Sequence, residues 1–206
     1  MIEHTISGSL WTIRVNRPAK ANSLTAEMLG QLIKLVGQAH TAPAAGALIL
    51  TGTGDRVFSA GADLEEARAG LATSPLWEEL SAVIAELPFL SIAALNGTLA
   101  GGAMGMALAC DLRLAVPEAD FFYPVARLGF LPQLSDPQRM AALIGPARTK
   151  MILLAGARIT ADEALAFGLI DRITPMDRLM GLAEEMAQAA VTGDPKVQRA
   201  IKAMCP

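Results

Sequence analysis

Aromatic side chains are scarce in this 206-residue chain, at 4%. Hydrophobic residues still make up 52%, so Ala, Leu, Ile, Val and Met must fill the core. Cysteine is scarcer still. Cys110 and Cys205 lie far apart, which excludes a disulfide framework and fits reduced, cytoplasmic thiols. The two histidines, His4 and His40, fall outside every segment that looks chemical. A metal centre or a serine–histidine pair therefore lacks its usual residues. Neither sign of charge dominates: the formal net charge is −3, with no basic stripe or acidic tail, which argues against nucleic acid as partner. No run approaches the roughly 18 apolar residues of a membrane helix, and the longest, Leu99 to Cys110, is broken by glycines. The N-terminus shows neither the charged nor the apolar region of a signal peptide. These absences predict a soluble cytoplasmic protein, residues 1–206 forming one domain. Its high mean hydropathy, +0.40, points to surface buried between subunits rather than in a bilayer.

What is present reads as alternating strands and helices. Leu10, Thr12 and Arg14 alternate with Trp11, Ile13 and Val15, and Ser7-Gly8-Ser9 makes a hairpin turn before them. Thr25 is placed to cap a helix running to about His40. Ala47 to Thr51 is apolar enough to be a strand buried on both faces. Phe58 to Asp63 leads into a short Glu- and Ala-rich helix, and Leu76 to Leu87 reads as another, amphipathic helix that Pro88 stops. Ser135-Asp136-Pro137 reads as an N-cap with proline at the helix start, and Thr160 to Glu163 as a capping box. The tail from Met176 is helical. Together these predict an α/β fold with a partly parallel sheet.

One stretch organises the rest. Ser91 to Leu95 is a buried strand, Asn96-Gly97 a turn, and Gly101-Gly102 opens a small-residue helix that ends near Asp111. Backbone N–H groups at such a start can face a ligand with no side chain in the way, and can stabilise negative charge on a carbonyl oxygen. The same glycines and alanines equally suit a helix that simply packs close to its neighbours.

Phe58-Ser59-Ala60-Gly61-Ala62-Asp63-Leu64, followed about 40 residues later by Asn96-Gly97, Gly101-Gly102 and Cys110-Asp111, resembles the crotonase superfamily, the enoyl-CoA hydratase/isomerase family. Asn16-Arg17-Pro18 with Ala21 to Leu24, Leu128 to Pro132 with Gln138-Arg139, and Thr160 to Asp171 follow in the family's order. The resemblance implies a β-β-α spiral core over 1–175 and a C-terminal helical part over 176–206. It also implies trimers or paired trimers, and a coenzyme A thioester as ligand with no permanently bound cofactor and no metal. By motif, the oxyanion-hole N–H groups fall on Ala62 and Gly102. The Ala60 carbonyl and the backbone around Ala21 match the adenine site, with Asp63 and Leu64 beside it. Lys20 is a neighbour for a CoA phosphate, or a solvated lysine.

The chain departs from that pattern in two ways. The family's two hydratase glutamates align with Gly105 and Val125, neither of which ionises, so two-carboxylate hydration is not expected. Substitutes would be Asp136, otherwise a helix cap, Glu66 or Glu65, otherwise a solvated face, and Tyr123, otherwise core. The chain also stops where relatives continue with helices that cover the acyl pocket. Two functions stay open at this point. One is enolate chemistry of the isomerase or decarboxylase type in the oxyanion hole; the other is a non-catalytic CoA-thioester-binding paralogue or partner subunit.

Overall fold

In the computed structural model, which describes residues 1–205, the period-two pattern of the N-terminus becomes a hairpin. Strands β1 (Ile2–Ser7) and β2 (Leu10–Val15) pair antiparallel, and β2 turns Trp11, Ile13 and Val15 inward. Helix α1 (Ala26–Thr41) starts at Thr25, whose hydroxyl accepts the Met28 N–H at 3.2 Å. Its Met28, Leu29, Leu32, Val36 and Ala39 are buried at helical spacing.

From here the chain climbs in turns of strand, strand and helix. The first comprises β3 (Ala47–Gly52), β4 (Val57–Ser59), α2 (Leu64–Arg68) and α3 (Leu76–Ala85). The second comprises β5 (Leu90–Leu95), β6 (Thr98–Ala100) and α4 (Met104–Ala109), and the third β7 (Leu112–Ala115), β8 (Asp120–Phe122) and α5 (Val125–Leu128). Helix α6 (Asp136–Leu153), broken at Gly145-Pro146, leads to β9 (Arg158–Thr160) and α7 (Ala161–Phe167). The chain ends in β10 (Arg172–Ile173), α8 (Met176–Thr192) and α9 (Pro195–Met204). Each turn gives one strand to each of two sheets, ordered β1-β2-β3-β5-β7-β10 and β4-β6-β8-β9. Apart from β1 and β9, neighbouring strands run parallel. This is the crotonase spiral expected from the motifs.

The second sheet was not legible in the sequence beyond Phe121 to Tyr123, because strands of two or three residues carry no periodicity. Two buried asparagines join successive turns. Asn96 accepts the Gly52 N–H at 2.9 Å and donates to the Gly54 carbonyl at 2.9 Å. Asn22 donates to the carbonyls of Thr53 and Val57 at 2.9 and 2.8 Å. The capping box at Thr160 and Glu163 forms as expected.

The expectation for Ser135-Asp136-Pro137 needs correcting. Ser135 occupies the cap position of α6 but makes no capping bond, and Asp136 is the first helical residue. The Asp136 side chain caps nothing; it is buried in the interior.

Candidate active site

The end of β4 is held against the start of α1 by a single parallel bridge. The Leu24 N–H donates to the Gly61 carbonyl and the Asp63 N–H to the Leu24 carbonyl, each at 2.8 Å. A bridge of this kind uses the residues on either side of Ala62 and leaves the Ala62 N–H out of the pairing. Asp63 then caps α2, Oδ1 accepting the Glu65 N–H at 3.0 Å, while Arg17 donates to Oδ2 at 2.7 Å. The hydrogen bond from Arg17 holds the Asp63 carboxyl below the usual carboxylate range.

The end of β6 supplies the second half. Gly101, at φ +59°, opens a 3₁₀ turn over Gly101–Ala103 that runs into α4. N–H groups in a first helical turn have no partner within it. The two segments touch: a Cβ on Gly61 would stand 3.2 Å from the Gly102 nitrogen. Gly102 itself carries Trp77, since a Cβ there would meet the indole at 3.0 Å. The Trp77 Nε1–H is satisfied by the Leu71 carbonyl at 2.8 Å.

Ala62 and Gly102 both line one cavity of about 170 Å³. Its other walls include Ala67, Ala72 and Trp77, together with Leu64 and Val125. Leu128, at the end of α5, and Leu131, in the loop after it, border the cavity and are both more than half exposed. Among the described residues, Tyr123 is the one ionisable side chain in this lining.

Behind Tyr123 lies Asp136. The Tyr123 hydroxyl donates to Asp136 Oδ2 at 3.0 Å, and Oδ1 has no hydrogen-bond partner within the described chain. Burial raises the Asp136 carboxyl to about 7, against smaller downward pulls from the Tyr123 hydrogen bond and from Arg139. Burial also raises the Tyr123 hydroxyl, with Asp136 adding to the effect. The carboxyl sits beside Gly105, where a Cβ would be 2.8 Å from Oδ1.

Other candidates are dispersed. Glu66 accepts the Ala26 N–H at 2.7 Å, and Glu65 is exposed; neither lines the cavity. Ala21, in the left-handed region at φ 51°, and Ala60 are brought together, the Ala60 N–H donating to the Ala21 carbonyl at 3.0 Å. Lys20 is exposed next to them. Sequence reasoning did not single out Trp77, whose only signal was one indole in an amphipathic helix. No cluster of potential metal ligands occurs among the described residues.

Comparison with known proteins agrees with this architecture. The profile of the enoyl-CoA hydratase/isomerase family matches residues 5–205. YngF of Bacillus subtilis, named for the same family, is 39% identical over 196 residues, 92% of this chain and 75% of that one. The short-chain-enoyl-CoA hydratase of Clostridium acetobutylicum is 32% identical, over 91% of this chain and 74% of that one. The crystal structure of an enoyl-CoA hydratase from Bacillus anthracis superposes with a TM-score of 0.91 at 32% identity, covering 98% of this chain and 80% of that one. The chain belongs to the enoyl-CoA hydratase/isomerase family.

Proposed function

We propose that this protein is an enzyme that binds an acyl-CoA thioester and stabilises its enolate between the N–H groups of Ala62 and Gly102. It acts by isomerisation or decarboxylation rather than by two-glutamate hydration. The observation that carries this reading is the cavity itself: Ala62 and Gly102 both line it, and among the described residues no carboxylate does. Hydration needs one group to activate water and another to deliver its proton. Gly105 and Val125, at the positions aligned with those glutamates, can do neither. An enolate needs fixed donors in a site where water competes poorly, and each such donor is worth about 100–1000-fold in rate.

The rest of the ligand follows the same motif. The Ala21–Ala60 backbone pair, with Asp63 and Leu64, is assigned to the adenine end, and Lys20 to a phosphate. Coenzyme A arrives as part of the substrate and leaves with the product. The names of relatives, enoyl-CoA hydratases and a carnitinyl-CoA dehydratase, support a CoA thioester as the substrate class. Free thiols at Cys110 and Cys205 support a reducing, cytoplasmic setting. A trimer or a pair of trimers is supported by α9, whose Val197, Ile201 and Met204 are exposed by 54%, 54% and 80%.

The test is a panel of enoyl- and malonyl-CoA thioesters followed by mass spectrometry, with binding measured by calorimetry. Isomerised or decarboxylated product is expected, and Gly102→Pro, which removes the N–H, should abolish it. Crotonyl-CoA hydration as the dominant reaction would overturn the proposal. Tight binding with no turnover on any thioester would make the protein a non-catalytic binder instead.

A further inference from the structure

We propose that Asp136 is the proton store of this site, working through the Tyr123 hydroxyl from the space that Gly105 leaves open, so that the reaction is a one-base proton transfer along the acyl chain. This rests on the acyl-CoA reading above and names the chemistry of the same cavity. The sequence spacing brings no carboxylate to the lining. The fold brings one to its back, 3.0 Å from the hydroxyl of Tyr123, which is the one ionisable residue of the lining among the described residues. Gly105 is what makes the position available: even an alanine there would place a methyl group 2.8 Å from Asp136 Oδ1.

The step balances without a co-reactant. The α-carbon C–H bond of the thioester breaks as an O–H bond forms on Tyr123, whose own proton passes to Asp136. The electron pair enters the enolate, whose oxygen lies between the Ala62 and Gly102 N–H groups. Reversal at the γ-carbon returns both protons and gives the isomerised enoyl-CoA. Tyrosine alone would be a poor partner, since its hydroxyl is raised by burial and holds its proton at neutral pH. A carboxyl near 7 behind it is matched to accept and release a proton there. Among the described residues the lining carries no cation to hold a second carboxylate, which favours an uncharged acyl chain over a malonyl type. An apolar cavity of about 150 Å³ takes a benzene-sized group, so a similar volume here suits an acyl chain of about four to six carbons.

The charged and titratable groups facing Asp136 are few. Tyr123 bonds it from the segment after β8, Arg139 attracts it from one turn along α6, and Glu78 repels it from α3. Arg139 is anchored by a 2.8 Å bond to Ser81, and Glu78 by accepting the Ser135 N–H at 3.1 Å.

The test is exchange of the α-protons of butyryl-CoA in D₂O, followed by NMR, with butyryl-CoA affinity measured by calorimetry. Wild-type exchange should rise with pH and level off above about 7. Asp136→Asn and Tyr123→Phe should each lower it by about 100-fold or more, with affinity retained, and Asp136→Asn should remove the inflection. Gly105→Ala should impair exchange by displacing the carboxyl. An Asp136→Asn variant that exchanges at the wild-type rate, or that keeps the inflection, would overturn the relay. Wild-type binding without exchange would overturn the relay and leave the acyl-CoA site standing; no binding would overturn the site itself.

Discussion

Trp77 lies against Gly102 so closely that a Cβ on the glycine would stand 3.0 Å from the indole. One glycine thus meets two requirements, a place in the cavity lining and a face open to a ring. Gly102→Ala keeps the N–H but pushes Trp77. We expect a loss of about 1–3 kcal/mol in stability from overpacking, together with lowered turnover. The double variant with Trp77→Leu should recover part of the stability. Urea unfolding of the single and double variants checks this.

Asn96 is the buried link between the first two turns of the spiral, bonded to the backbone of Gly52 and Gly54. Replacing it with Leu strands the Gly52 N–H in the interior, while the carbonyl of exposed Gly54 can turn to solvent. At about 1–3 kcal/mol for a buried unsatisfied group, the cost should be about 1–3 kcal/mol. Thermal and urea unfolding would both report it, and a change below about 1 kcal/mol would mean the link carries little.

Asp63 joins the cap of α2 to Arg17 one residue after Ala62. Asp63→Asn retains a capping oxygen and loses the ion pair, while Asp63→Ala loses both, so melting temperatures should fall in that order. Because the folded carboxyl is held below its ordinary 3.8, its stabilisation is present above that value and is lost as pH falls below it. Melting of the wild type should become acid-sensitive there, and that of Asp63→Ala less so.

Asp136 has the opposite sign. Its folded carboxyl, near 7, binds a proton more tightly than the unfolded one at 3.8, so the stability this proton supplies is complete below about 3.8 and lost by about 7. The gap between 3.8 and about 7 corresponds to roughly 4 kcal/mol at most. Wild-type melting temperature should therefore decline across that window relative to Asp136→Asn, which stays neutral. At pH 8 the variant should be the more stable protein and the less active one. Parallel slopes for the two proteins in calorimetric scans would contradict the assignment.

Local rules carried most of the first sheet and the helix starts. Thr25, Thr160 and Asp63 cap because a short polar side chain reaches N–H groups two or three residues on, a reach set by covalent geometry. Strand β3 is recognisable because a segment buried on both faces needs apolar residues throughout. The paired glycines and the Ala60 to Asp63 motif marked both halves of the cavity, since only small residues let backbone approach a ligand. Short strands such as β4 and β6 escaped, being stabilised by pairing partners far along the chain rather than by their own pattern.

By itself, the sequence determined the family, the spiral and the two backbone segments that meet at the cavity, because caps, periodicity and glycine spacing act over a few residues. Only the tertiary structure decided where the carboxylates go. Glu66 turned to the start of α1, and Asp136 left its expected cap to lie against Gly105 and Tyr123. Those outcomes depend on which helices pack together, α4 against α6 above all, and no short stretch of sequence encodes that contact.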